Sequence, residues 1–545
     1  MYRLLTILMT ASIVFACEKE RAIYDDPFDR VGPGEACGGL VFCEDGLVCR
    51  DGFCIATTDT DTGTADIDKP PLPDQDEPTD TTDPSGAADE AEERTDADWI
   101  GLCDGTAVVD EQSLPHFAAC DTIAGDLVIE RTLLPAVEQL HNIERIEGSL
   151  IIKRNVLLND LSGLRSLQTI GGGLSVESNA KLYTLGDLLS LHTIDGTLLV
   201  KDNARLSKLD LVSLQIAGSV WLERNRLLGG LGLPVLQSVS GAFFLFDNDL
   251  LSTLGGLSAL QALGELYLQD NDGLIQISAA PLPFIYLSRL TVRGNRSLRS
   301  FSGLEGLMAV GELSVYDDPA LVSFKGLGAL EQANGTVSVE QCGIKSFAGL
   351  ERLIRIGGDL IIRQCDELVH PDGPPQLQTI EGFLVLHRNA KLEDLSGFPS
   401  LRSVGGLSLI NNALLDNLAG LAFLSWIYGP AEIQNNPLLT DLSGLDHLRS
   451  VSDRFVLLNN PLLSDTAALL LLEQVGGDMA VSYNDSLNEF SFPALVWIGG
   501  DLYVEENPLL PQCAAEELRD TLTDGYGWTG SATIQGNDAT AQCPQ

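Results

Sequence analysis

Positive charge is in short supply along this chain. Lysine and arginine together number 33 against 77 aspartates and glutamates, a net charge of −44. A surface of that balance repels phosphate backbones and anionic lipid heads, so nucleic acid is not expected as a partner. Rings are also scarce, at 6% of residues, which points to an aliphatic core. The six histidines, His116, His141, His192, His370, His387 and His447, show no metal-ligand spacing and read as separate surface or loop residues. Neither a metal nor a cofactor is expected. The chain lacks a Gly-x-Ser-x-Gly elbow, a Gly-Lys-Ser/Thr phosphate loop and a zinc-protease helix motif, and no catalytic residue is assigned. Carboxylates are so abundant that close pairs are inevitable, and such a pair is no argument for glycoside hydrolysis, which needs one.

Long apolar runs are missing after the first residues. Arg3 followed by the apolar stretch Leu4 to Ala16 is too short to span a bilayer and reads as an export signal over residues 1–16. The sequence Val14-Phe15-Ala16-Cys17 resembles a bacterial lipobox, although Phe15 is larger than usual there. That resemblance implies a lipid on Cys17 and a bacterial outer-membrane or cell-surface location, with contact to the membrane through the anchor only. Ordinary signal-peptidase cleavage, leaving Cys17 as a stray thiol, is the alternative. Setting Cys17 aside leaves ten of the eleven cysteines, an even number that an oxidising compartment could pair.

Residues 17–56 hold Cys37, Cys43, Cys49 and Cys54 among too few large apolar side chains to bury a core. Two disulfides of open connectivity are expected to hold this small module together. Zinc is the rival reading, but the spacing does not fit and no histidine lies nearby. Residues 57–98, rich in Thr, Asp, Pro and Glu, read as an acidic disordered linker. Asp59, Asp61, Gly63, Asp66 and Asp68 suggest a calcium loop only faintly, since the EF-hand spacing is absent.

From about Trp99 onward the chain repeats. The motif Gly-x-Leu-x-Ile-x-x-Asn places a first apolar strand position at Leu127, Leu150, Leu174, Leu198, Val220, Phe243, Leu266, Leu290, Leu313, Val337, Leu360, Leu384, Leu407, Ala431, Phe455, Met479 and Leu502. These seventeen rungs lie 22 to 24 residues apart, and glycine stands two places earlier in fifteen of them. Alternation such as Leu127 with Ile129 puts one strand face inward, and the glycine is expected to permit the backbone turn into the strand. Asparagine stands five places after the strand leucine in thirteen rungs, from Asn155 to Asn507. Stacked, these amides can satisfy the backbone of a tight turn, because each both donates and accepts. Between asparagine and the next strand the apolar residues fall three apart, which predicts irregular or 3₁₀-like returns rather than further strands.

This pattern resembles the receptor L domain, a relative of leucine-rich repeats, over roughly residues 99–545, though it has many more rungs than one such domain. The resemblance implies a mainly β, right-handed leucine-rich-repeat-like solenoid of about 17 rungs with one parallel strand per rung, preceded by a small disulfide-rich segment. The parts are an N-terminal cap at 99–126, repeats at 127–507 and a C-terminal cap at 508–545. Cys103 with Cys120 and Cys513 with Cys543 flank the two ends of the stack and are expected to staple the caps. Ala514 to Leu522 has helical composition suited to covering the last rung. Cys342 and Cys365 occupy the asparagine position of adjacent rungs, about 4.8 Å apart in an in-register sheet, and a disulfide is expected between them.

Outward strand positions form the face with which solenoids commonly bind partners. Trp221, Phe244, Phe246 and Tyr267 cluster there on rungs five to seven, with Arg293 and Tyr316 on the next two. An exposed apolar patch of this kind marks an interaction site, able to stack on sugars or to anchor a protein, unless another segment or a second copy covers it. Phe383, Val385, His387, Ile410, Val456 and Leu458 form a weaker second patch. The sequence therefore reads as a cell-surface recognition or adhesion protein with an unknown protein or glycan ligand. A structural envelope component is the alternative, and a polysaccharide-acting enzyme a distant third.

Overall fold

A computed structural model describes residues 102–283 and 285–541, together with the strands Arg30–Val31, Phe42–Cys43, Leu47–Arg50 and Phe53–Ala56. The chain divides into two units, Met1–Ala91 and Glu92–Gln545. In the first, Arg30–Val31 pairs parallel with Phe42–Cys43, and Leu47–Arg50 pairs antiparallel with Phe53–Ala56, placing Cys49 opposite Cys54. The export signal, Cys17, the pairing of the module cysteines and the linker lie outside the described residues.

The second unit is a parallel-strand solenoid of about seventeen turns. Each strand position read from the motif pairs with its counterpart in the next rung: Leu127 with Leu150, Leu150 with Leu174, Val220 with Phe243, Leu407 with Ala431, and Met479 with Leu502. The first and third residues of each strand point inward, and Leu127, Ile129, Leu150, Ile152, Leu502 and Val504 are all fully buried. Apolar residues three apart in the returns, such as Leu158, Leu161, Leu164 and Leu167, complete the same core. Burying one such side chain contributes roughly 1.5–3 kcal/mol, and the core they form runs the length of the stack. Phe301, Phe324, Phe347 and Phe398 line up within it, with ring centroids 5.9, 5.7 and 6.1 Å apart.

The returns are more ordered than the three-residue spacing suggests. Short 3₁₀ turns occur at Glu138–Leu140, Ser162–Leu164, Ala419–Leu421 and Ala467–Leu469. Each return also ends in a second short ladder, in which Arg145–Ile146 pairs with Thr169–Ile170 and that with Thr193–Ile194. In rungs four to nine, and again in rungs twelve and thirteen, the two ladders fuse into continuous strands of eight or nine residues, from Thr193–Lys201 to Ala309–Tyr316 and then Thr379–His387 and Ser403–Ile410. The glycine between them acts through space rather than through φ. A Cβ on Gly196 would lie 2.8 Å from Gly172 O and 3.0 Å from Gly173 N, so at this rung the chains close up only because the position is bare.

The left-handed backbone falls elsewhere, on the residue just before the asparagine. It has positive φ in all seventeen rungs, from Arg131 at 56° to Glu506 at 56°, with Gly294 the one glycine among them. This reverses the chain and turns the asparagine inward. Asn179 is typical: its Nδ2 donates to Ile152 O at 2.9 Å, its N–H to Asn203 Oδ1 at 3.0 Å, and its Oδ1 accepts from Asn155 N–H at 3.2 Å. The ladder asparagines are fully buried.

The caps extend the stack at both ends. Cys103 and Cys120 form the expected disulfide, and Ala107–Val108 adds a strand before Leu127. At the far end Ala532–Gln535 pairs with Leu502–Glu505, and Asn537 extends the asparagine column by accepting from Asn507 N–H at 3.2 Å. The helix Gln512–Asp520 lies within this longer final turn and buries Ala514, Ala515 and Leu518. Cys513 is disulfide-bonded, and Cys543 lies outside the described residues.

Cys342 and Cys365 depart from expectation: both are free, buried thiols. The ladder aims their side chains at carbonyls rather than at each other, with Cys342 Sγ donating to Glu340 O at 2.9 Å and Cys365 Sγ facing Val339 O at 3.5 Å. Burial pushes both thiols up, Cys365 to about 12. Even cysteine parity is therefore not a sign of complete pairing here.

Candidate functional site

The outward face of the main ladder is built from the residue before each strand leucine and the residues one and three places after it. On the first five rungs the third-place residues alternate in sign: Glu130, Lys153, Glu177, Lys201 and Glu223. Lys153 Nζ lies 2.8 Å from Glu177, and Lys201 Nζ lies 3.1 Å from Glu223. Although burial raises the Glu177 carboxyl, Lys153 and Ser175 hold it below the usual range on balance. Arg224 continues the network, binding Glu223 and both oxygens of Asp202 at 2.7 and 2.9 Å, and its hydrogen bonds depress the Asp202 carboxyl. This end of the face satisfies its own charges.

The aromatic residues come together on the fused strands. Trp221 and Phe244 stack with centroids 4.5 Å apart, and Phe244 and Tyr267 at 4.1 Å with planes only 7° from parallel. Ring spacing below the usual strand spacing brings the three into face-to-face contact. Their polar ends are held by acids: Trp221 Nε1 donates to Glu223 Oε2 at 3.0 Å, and Tyr267 OH donates to Glu265 Oε2 at 2.7 Å. Burial first, and then that hydrogen bond, drive the Tyr267 phenol well above its ordinary range. Arg289 reaches Glu312 at 2.7 Å one rung further on, and the Arg293 guanidinium sits 5.1 Å above the Tyr316 ring.

This is not the open platform expected. Phe244 is 4% exposed and Tyr267 fully buried, while Trp221, Phe246, Arg293 and Tyr316 are half-buried. Stacking covers both faces of Phe244, and of the three stacked rings only Trp221 presents surface to solvent. Glu223, Glu265, Arg289 and Glu312 were not singled out from the sequence. The alternation that placed the rings outward also places these four on the same face, and that signal could have found them.

The second patch is less apolar than expected. Val385 is 7% exposed, and Ile410, Val456 and Leu458 are half-buried on neighbouring rungs. His387 Nε2 lies 2.8 Å from Ser408 Oγ. Burial, reinforced by Arg363 and Arg388, lowers the imidazole to about 3, so it is neutral across the physiological range. Among the described residues no three His, Cys, Asp or Glu side chains are grouped to hold a metal ion, and no helix is long and apolar enough to cross a membrane.

The Receptor L domain family profile matches residues 119–229, from the end of the cap through the fifth rung. No curated protein matches the sequence. Among solved structures, a chain from the crystal structure of the TLR13–ssRNA13 complex is similar over 80% of this chain and 79% of that one, at 12% identity and a TM-score of 0.28. So loose a superposition adds nothing to the fold described above.

Proposed function

We propose that this chain is a non-catalytic recognition or adhesion protein of a bacterial envelope, anchored by lipid on Cys17, carried on the linker at 57–98, and engaging a protein partner over rungs five to nine. The observation that carries the reading is the ridge of Trp221, Phe244 and Tyr267 followed by Arg293 over Tyr316, which gathers rings of a ring-poor chain within five successive rungs. Rings held by stacking and by hydrogen bonds to Glu223 and Glu265 lose little freedom on binding, which favours an interface anchor. Sugars stack on free ring faces, and the middle ring has none, so a protein partner fits better than a glycan. The Receptor L domain match supports a binding fold, and the Cys103–Cys120 disulfide suits an oxidising compartment.

The test is capture of surface proteins and envelope glycans on arrays by the full mature chain, beside a Trp221→Ala/Phe246→Ala variant of two half-buried rings. Selective protein binding, weakened by roughly 30-fold or more as at an interface hot spot, is the expected result. Cys17→Ser should move the protein out of the membrane fraction. Burial of Phe244 and Tyr267 favours one second reading, a structural envelope component whose rings brace the sheet. Absence of binding by both folded proteins would select it, and shortened wall glycans after incubation would overturn the non-catalytic assignment.

A further inference from the structure

Three successive rungs near the middle of the stack carry Asp318, Cys342 and Cys365 in place of the ladder asparagine. Asp318 is fully buried. Its Oδ1 does what an asparagine oxygen does, accepting from Asn295 N–H at 2.8 Å and from Asn295 Nδ2 at 3.3 Å. Its Oδ2 has no hydrogen-bond partner. In the flanking rungs the atom at that place is an amide nitrogen donating to the third residue of the preceding strand: Asn295 Nδ2 to Leu268 O at 2.8 Å, and Asn389 Nδ2 to Ile362 O at 3.1 Å. By the same register the acceptor awaiting Asp318 is Val292 O. A carboxylate oxygen turned towards a carbonyl is repelled, whereas a carboxylic acid supplies the missing donor.

We propose that Asp318 is a neutral carboxylic acid in the folded protein, standing in for the ladder asparagine and making rungs eight to ten a joint that weakens as pH rises. The charges around it act in the same sense. Burial dominates, and Asp317 beside it and Asp270 from two rungs earlier both oppose ionisation, together outweighing the Asn295 hydrogen bonds and raising the carboxyl to about 8. On the other side stands the Cys342 thiol, itself pushed up and uncharged. Between the ordinary value of 3.8 and about 8 the unfolded chain has released this proton while the folded one retains it. Raising the pH through that window therefore removes stability, and the loss levels off above it.

The experiment is urea unfolding of the full mature chain and of Asp318→Asn from pH 5 to 9, with infrared spectra of both. Asp318→Asn restores the ladder residue and does not titrate. Its midpoint should exceed that of the wild type by a margin that widens with each pH unit up to about 8 and then stays constant. At pH 7 the wild type should show a carboxylic-acid carbonyl band that the variant lacks. A margin independent of pH, a less stable variant, or a wild-type spectrum with no protonated carboxyl at pH 7 overturns the proposal. The last reading needs no variant to fold.

Discussion

Each ladder asparagine serves three neighbours at once, which is why one residue type recurs where leucines, valines and isoleucines interchange freely. Asn436 accepts Asn412 N–H at 3.1 Å, donates to Leu409 O at 2.9 Å and passes its own N–H to Asn460 at 3.1 Å. Asn436→Ala strands a buried N–H and a buried carbonyl together. It should cost about 2–6 kcal/mol in chemical denaturation, since each unsatisfied group costs about 1–3 kcal/mol. An unchanged midpoint would mean that water enters the turn and replaces the amide. The asparagine column was legible because the chemistry tolerates few substitutes at a fixed interval. The left-handed residue before it was not, because Arg131, Ser178, Asp247, Gln341, Tyr483 and Glu506 all adopt that conformation and share no side-chain type. There the turn's hydrogen bonds override a local preference worth roughly 1–2 kcal/mol per residue. The same blindness affected Cys342 and Cys365. Spacing gives the distance between two rungs but not the direction of two sulfurs, and each sulfur here points at a carbonyl.

At the scale of the strand, glycine was read correctly as a requirement and wrongly as a conformational one. The pre-strand glycines adopt ordinary backbone, and what they supply is the absence of a side chain where successive rungs touch. Gly196→Ala would set a Cβ 2.8 and 2.9 Å from the O and C of Gly172 and 3.0 Å from Gly173 N, all backbone atoms that cannot swing aside. The expected result is a loss of about 1–3 kcal/mol, typical of overpacking, with the far-ultraviolet spectrum unchanged. Because φ at Gly196 is ordinary, alanine would be tolerated if close packing between rungs were not the reason for glycine. Alternation along the strands sorted residues between the two faces accurately, and it set Trp221, Phe244 and Tyr267 side by side as found. It also places Glu223 and Glu265 two residues from Trp221 and Tyr267 on the same face, but it could not foresee the burial of Phe244 and Tyr267. That burial depends on how near neighbouring rungs bring their side chains, a property of the stacked sheet and not of any single strand. The fusion of two ladders into one strand over rungs four to nine and twelve to thirteen was likewise hidden, because the second ladder contributes only two residues per turn.

Over the whole molecule each rung touches chiefly the rung before and the rung after, so the stack behaves as a one-dimensional array whose stability is a sum of neighbour terms. Such an array should tolerate losing an interior turn but not an end. Removing the 24 residues 431–454 joins Pro430 to Phe455 and brings Leu407 against Phe455, Leu409 against Leu457 and Asn412 against Asn460, all in their present register. The shortened protein should keep the oligomeric state of the full chain and the same strand signal, and its denaturant slope should fall in proportion to the surface removed. Removing residues 508–545 is a smaller change in kind but a greater one in effect. It strips the final strand Ala532–Gln535 from Leu502–Glu505, takes Asn537 from the end of the ladder, and uncovers the core that Leu518, Leu522 and Trp528 close. An unpaired parallel edge beside open apolar surface invites association, so this truncation should run as large aggregates in size-exclusion chromatography. If instead the interior deletion aggregated and the capless chain did not, the rungs would be coupled over longer range than neighbour contacts allow.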